Sequence, residues 1–78
     1  MKIVRIGMDN YTTAEKIDIV AKPGSSPIQR IVGEASARGK FFDLCGGKKR
    51  RSIIVLSDGK VLASMKTPKT IIEEMEGR

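Results

Sequence analysis

With 78 residues and one cysteine, the chain cannot rest on a disulfide framework, and a domain this short hides only roughly 60 % of the surface its unfolded form exposes. Lys and Arg number 15 against 9 Asp and Glu, a formal net charge of +6, which favours an anionic partner. Histidine is absent, which removes the commonest general base and, with a single thiol, the usual metal-ligand clusters.

A thin core without metal or disulfide support predicts a homo-oligomer. The start Met1-Lys2-Ile3-Val4-Arg5 lacks the apolar core of a signal peptide, and the run Ile53 to Leu56 is too short to cross a bilayer. A lone thiol fits a reducing compartment, so a soluble cytoplasmic protein is expected, with Cys45 as a small semi-buried residue.

Lys2 to Gly7 alternates apolar and polar residues and predicts a strand, with Met8-Asp9-Asn10 as its turn. Tyr11 to Ala21 predicts a second extended segment, hairpin-paired with the first, in which Ile17, Ile19 and Ala21 share a face. Lys22-Pro23-Gly24-Ser25 breaks it. Ser26 then offers a helix cap, Gln29 completes a capping box, and Pro27 suits the first turn. Ile28, Ile31, Val32 and Ala35 form the apolar face of this helix, and Gly39 ends it with Arg38 in the last turn.

Phe41 to Cys45 predicts a strand, the basic segment that follows its turn, and Arg51 to Ser57 the returning partner. Asp58-Gly59 predicts a type I′ hairpin into Lys60 to Met65, giving a three-stranded meander whose apolar strand Ile53 to Leu56 is covered on both faces. Thr67-Pro68 opens a second helix through Gly77, with Ile71, Ile72 and Met75 as its stripe and Glu73, Glu74 and Glu76 as its solvated face. No repeat or linker interrupts this order. Residues 1–78 are read as one domain of α+β class, a small, mostly antiparallel sheet with two helices in the order β-β-α-β-β-β-α.

Function is concentrated in Gly46-Gly47-Lys48-Lys49-Arg50-Arg51. Residues 38 to 51 hold Arg38, Lys40 and these four cations against Asp43 alone. Adjacent cations on a glycine turn repel one another and call for a polyanion, of which phosphate backbone is the commonest. A solvated turn that merely protects a sheet edge is the plain alternative. Few aromatics argue against single-strand binding by stacking. Gly47-Lys48 is no P-loop, because Phe42 and Lys49 stand where glycine and Ser or Thr are required. No pair of carboxylates has an apolar setting, so no enzyme, cofactor, metal site or small-molecule substrate is expected. Lys16, flanked by Glu15 and Asp18, reads by itself as a solvent-facing strand residue.

Taken as a set, Ser26-Pro27-Ile28-Gln29-Arg30-Ile31, Ala37-Arg38-Gly39 and Phe42-Asp43-Leu44 before a glycine-basic turn resemble the bacterial RemA-like family, named for the extracellular matrix regulatory protein RemA. The likeness spans essentially the whole chain. It implies a RemA-like DNA-binding domain, a nucleoid-associated transcriptional regulator that assembles into closed rings. In that family the turn reads Gly-Arg-Arg-x-Arg, whose first two arginines are the principal DNA contacts; they fall here on Lys48 and Lys49, with Arg50 and Arg51 following, and the family's basic residue in the second strand falls on Lys16. Lysine lacks arginine's planar fork, so grip on phosphate is expected over base reading. Double-stranded DNA and further copies of the chain are the expected partners. Structured RNA, or an acidic protein partner for a structural module, are the alternatives.

Overall fold

A computed structural model describes residues 2–77. Met1 and Arg78, which the sequence reading includes in the domain, lie outside the described residues. The elements are β1 (Ile3–Gly7), β2 (Asn10–Thr13), a short 3₁₀ turn (Ala14–Lys16), β3 (Ile17–Ala21), α1 (Ser26–Ala37), β4 (Phe41–Asp43), β5 (Ser52–Leu56), β6 (Val61–Ser64) and α2 (Pro68–Met75). The α+β class and the expected order hold, with the second extended segment divided in two. β1 and β2 form an antiparallel hairpin, and the other strands form a sheet in the order β3-β5-β6-β4.

The division at Ala14–Lys16 lets the chain change sheets. Ala14 N–H donates to Lys2 C=O, closing the hairpin, and Lys16 C=O accepts from Ser57 N–H at the far end of β5. Lys16 therefore sits in a turn and not in mid-strand. A bulge between Ile17 and Ile19 then rephases β3. Ile17 and Val20 consequently face one cluster and Ala21 the other, while Ile19 stays largely exposed.

Asp58 and Gly59 do make the β5–β6 turn, but as a three-residue loop. Gly59 N–H donates to Leu56 C=O, Leu56 N–H donates to Lys60 C=O, and of the pair only Gly59 takes positive φ. A type I turn followed by a left-handed glycine replaces the expected type I′.

The expected meander is corrected by β4. That strand pairs with β6, in parallel, and never with β5. The cause is α1, which carries the chain back to the starting end of β3, so that β4 must run in the same direction as β3. β5 and β6 close on each other through their short local turn and fill the middle of the sheet. The basic segment is thus a crossover loop spanning the end of β6, and not the tip of a hairpin.

α1 begins one residue earlier than expected, with Ser25 as its N-cap and no capping side-chain hydrogen bond; Gln29 instead donates to Gly24 C=O. Its end follows expectation. Gly39 takes φ +70°, Gly39 N–H reaches Ser36 C=O and Lys40 N–H reaches Ala35 C=O, a Schellman closure. In α2, Thr67 Oγ1 accepts from Thr70 N–H at 3.3 Å, and Ile71 and Met75 turn inward while Ile72 is exposed.

The large sheet is the middle layer. Ile53, Val61 and Ala63 pack beneath Ile28 and Ala35 of α1, together with Cys45. Ile54, Leu56 and Leu62 pack on the opposite face against Val4 and Ile6 of β1 and Ile71 of α2. β5 is covered on both faces, as its continuous apolar run requires. Each fully buried isoleucine contributes about 1.5–3 kcal/mol. Buried Ser64 ties two elements together: its Oγ donates to Ile6 C=O and accepts from Lys66 N–H.

Candidate nucleic-acid interface

The basic loop is built from β4 outward. Leu44 N–H still donates to Ala63 C=O, after which the chain leaves the sheet. Asp43 turns it: Cys45 N–H donates to Asp43 Oδ1 at 3.0 Å, an Asx turn. The buried Cys45 side chain anchors the loop in the α1 cluster. Gly46 and Gly47 take φ +62° and +85°, left-handed values that a side chain would resist, and Lys48 N–H reaches back to Cys45 C=O. Arg51 N–H then donates to Ser64 C=O and starts β5.

The four cations are not equivalent. Arg50 folds back onto the base of the loop, with Nε 3.1 Å from Asp43 Oδ2 and its guanidinium 4.9 Å from the centre of the Phe41 ring. Lys48, Lys49 and Arg51 are exposed, and among the described residues no carboxylate lies in ion-pair range of them. The Cys45 N–H above all, then its thiol and Arg50, hold the Asp43 carboxyl below the usual carboxylate range, against the opposing effect of burial. Burial, assisted by the Asp43 charge, pushes the Cys45 thiol up to about 11.

Lys16 stands apart. It is exposed beside the end of β5, whereas the loop enters the beginning of that strand, about 17 Å away at ~3.4 Å per residue. Within the chain Lys48, Lys49, Arg50 and Arg51 share a loop and Lys16 does not join them. Two residues escaped sequence reading. Asp43 was expected to be an ordinary strand residue but closes the loop; an aspartate shortly before Gly-Gly is an Asx-turn signal that points to it. Glu74, expected on a solvated face, lies partly buried, paired with Lys66 and accepting from Arg5 N–H at 3.0 Å.

Among the described residues no group of His, Cys, Asp and Glu could hold a metal ion, and no helix is long and apolar enough to cross a membrane. Residues 3–75 match the family described as RemA-like, Extracellular matrix regulatory protein A-like. The chain is also similar to bacterial proteins named "Putative regulatory protein". One, from Dictyoglomus thermophilum, is 35% identical over 77 residues, covering 99% of this chain and 91% of the relative. Another, from Geobacillus thermodenitrificans, is 32% identical over 77 residues, covering 99% and 88%.

Proposed function

The chain belongs to the RemA-like family of regulatory proteins, and from that premise we propose that it is a non-enzymatic regulator that binds double-stranded DNA as a closed ring of copies. Lys48, Lys49 and Arg51 grip the phosphate backbone, Arg50 holds the loop that presents them, and Lys16 meets a separate stretch of backbone. One observation carries this reading: Lys48, Lys49 and Arg51, exposed and with no carboxylate in ion-pair range among the described residues, are held on a loop fixed at both ends. Such charges gain most from a polyanion, because releasing its counterions drives association.

Self-association fits the surface. Tyr11 on β2 is 58% exposed, and Phe42 on the edge strand β4 is 42% exposed. Exposed aromatics at a short edge strand suit contact with another copy. A head-to-tail contact that closes leaves no free edge and places one loop per subunit around the ring. Affinity then comes from several modest contacts acting together.

Fluorescence anisotropy with a labelled duplex tests the DNA reading. The double substitution Lys48→Gln and Lys49→Gln is expected to reduce affinity at least tenfold and to flatten its salt dependence. Unchanged binding overturns the assignment, and tighter binding to structured RNA at matched salt redirects it. Light scattering tests the ring; a monomer at micromolar concentration overturns it.

A further inference from the structure

β3 and β6 run parallel with β5 antiparallel between them. At their carboxyl ends the chain departs to opposite faces of the sheet, from β3 into α1 and from β6 into α2. This divergence leaves a crevice at the strand ends. Here it is a groove of about 590 Å³, lined by Lys22 and Ser25 before α1, by Lys49 and Arg51 of the basic loop, and by Thr67 and Pro68 at the start of α2. Cations enter it from two separate connections, and among the described residues no carboxylate lines it.

The donors around the groove match its charge. No acidic side chain occupies the first turn of either helix, and Ser25 makes no capping hydrogen bond to α1. Pro27 has no N–H and Gln29 N–H donates to Ser25 C=O, so the Ser26 and Ile28 N–H groups of α1 are left for an outside acceptor, at the positive end of the helix dipole.

We propose that this groove seats one phosphate group of the DNA backbone, held by Lys22, Lys49 and Arg51 with the α1 N-terminal N–H groups and the Ser25 hydroxyl as neutral donors. The proposal rests on the DNA-binding reading and adds Lys22 and Ser25 to it. Lys48 then works outside the groove, while Lys49 and Arg51 direct the backbone into it. The loop and the groove engage neighbouring stretches of one strand.

Lys22→Gln tests this, with Arg38→Gln at the far end of α1 as a control of equal charge. Salt-dependent anisotropy on a duplex reads the phosphate count, and amide NMR of the assembled protein reads the seat, first with the duplex and then with pyrophosphate. Lys22→Gln is expected to lower the salt slope by about 0.9 for each engaged subunit, and Arg38→Gln to leave it unchanged. The Ser26 and Ile28 amides are expected to shift on adding duplex to the native protein and to shift less in Lys22→Gln. Duplex binding with an unchanged slope and unmoved Ser26 and Ile28 amides overturns the seat and leaves the DNA reading standing. Amide shifts with pyrophosphate but not with duplex overturn the backbone assignment in favour of a free phosphate. Absence of all duplex binding overturns both.

Discussion

Arg50 Nε lies 3.1 Å from the Asp43 carboxylate, and this pair joins the end of β4 to the last turn of the basic loop. The same carboxylate accepts from Cys45 N–H, so one aspartate fixes both where the chain leaves the sheet and how it returns. Arg50 is thereby committed to the protein, unlike Lys48 and Lys49. Arg50→Gln is expected to weaken DNA binding less than Lys48→Gln or Lys49→Gln, and to resemble Asp43→Asn in its effect on the loop. Both groups of the pair are 44% exposed, so the loss of stability stays below about 1 kcal/mol. Anisotropy and thermal melts on the four single variants check the ordering, and an Arg50 variant that loses more affinity than the lysine variants refutes it.

Gly46 meets two demands at once. Its φ of +62° is left-handed, and a Cβ there would lie 2.8 Å from Met8 Sδ in the β1–β2 turn. Gly46→Ala is expected to cost about 1–2 kcal/mol from the backbone alone, with a smaller addition for displacing the exposed, flexible Met8 side chain. Gly47, at φ +85° with open space around it, carries only the backbone term. Combining Gly46→Ala with Met8→Ala is expected to recover part of the loss, leaving a residue close to that of Gly47→Ala. Urea unfolding of the single and double variants measures this coupling; strictly additive losses would show that Met8 does not press on the loop.

Local chemistry made much of the fold legible. The Gly39 closure of α1, the Thr67 cap of α2 and the doubly covered strand Ile53 to Leu56 each follow from residues close in sequence. The pairing of β4 was not legible, because Phe41 to Cys45 is followed by a turn signal whether the next strand lies beside it or beyond another strand. Only the return path imposed by α1 separates the two cases. The 3₁₀ turn at Ala14–Lys16 was hidden for a similar reason: Ile17, Ile19 and Ala21 show a period of two that the bulge in β3 breaks only in space. In the candidate site the cations were plain in the sequence. Their inequality was not, since it depends on Arg50 reaching back seven positions to Asp43.

Cys45 is expected to be chemically quiet. It is 1% exposed, and burial first, then the hydrogen bond and charge of Asp43, push its thiol up to about 11. The thiolate is the reactive form, so at pH 8 only a small fraction of folded molecules could react even if the reagent reached the sulfur. Labelling with a thiol-reactive disulfide at pH 8 is expected to follow the unfolded population, becoming fast only in denaturant. Rapid labelling of the folded protein, at a rate independent of denaturant, contradicts the placement of Cys45 in the α1 cluster.

Glu74 supplies a pH-dependent link between α2 and β1. Burial works to raise its carboxyl, but the Lys66 ammonium and the Arg5 N–H outweigh it and hold the group below its ordinary range. A carboxyl whose folded pKa is depressed adds stability that is fully present above its unfolded value, about 4.3. That stability is lost as pH falls through the lower folded value. The pair is partly buried, with side chains 21% and 28% exposed, so Glu74→Gln is expected to cost about 1 kcal/mol at pH 7. The difference between native protein and variant is expected to shrink below pH 4.3 and to vanish once the native carboxyl is protonated. Asp43 titrates in the same direction in both proteins, so it drops out of the difference. Urea midpoints measured from pH 7 to pH 3 decide the matter: a gap that stays constant across this range would show that the Glu74 charge contributes nothing to holding α2 on the hairpin.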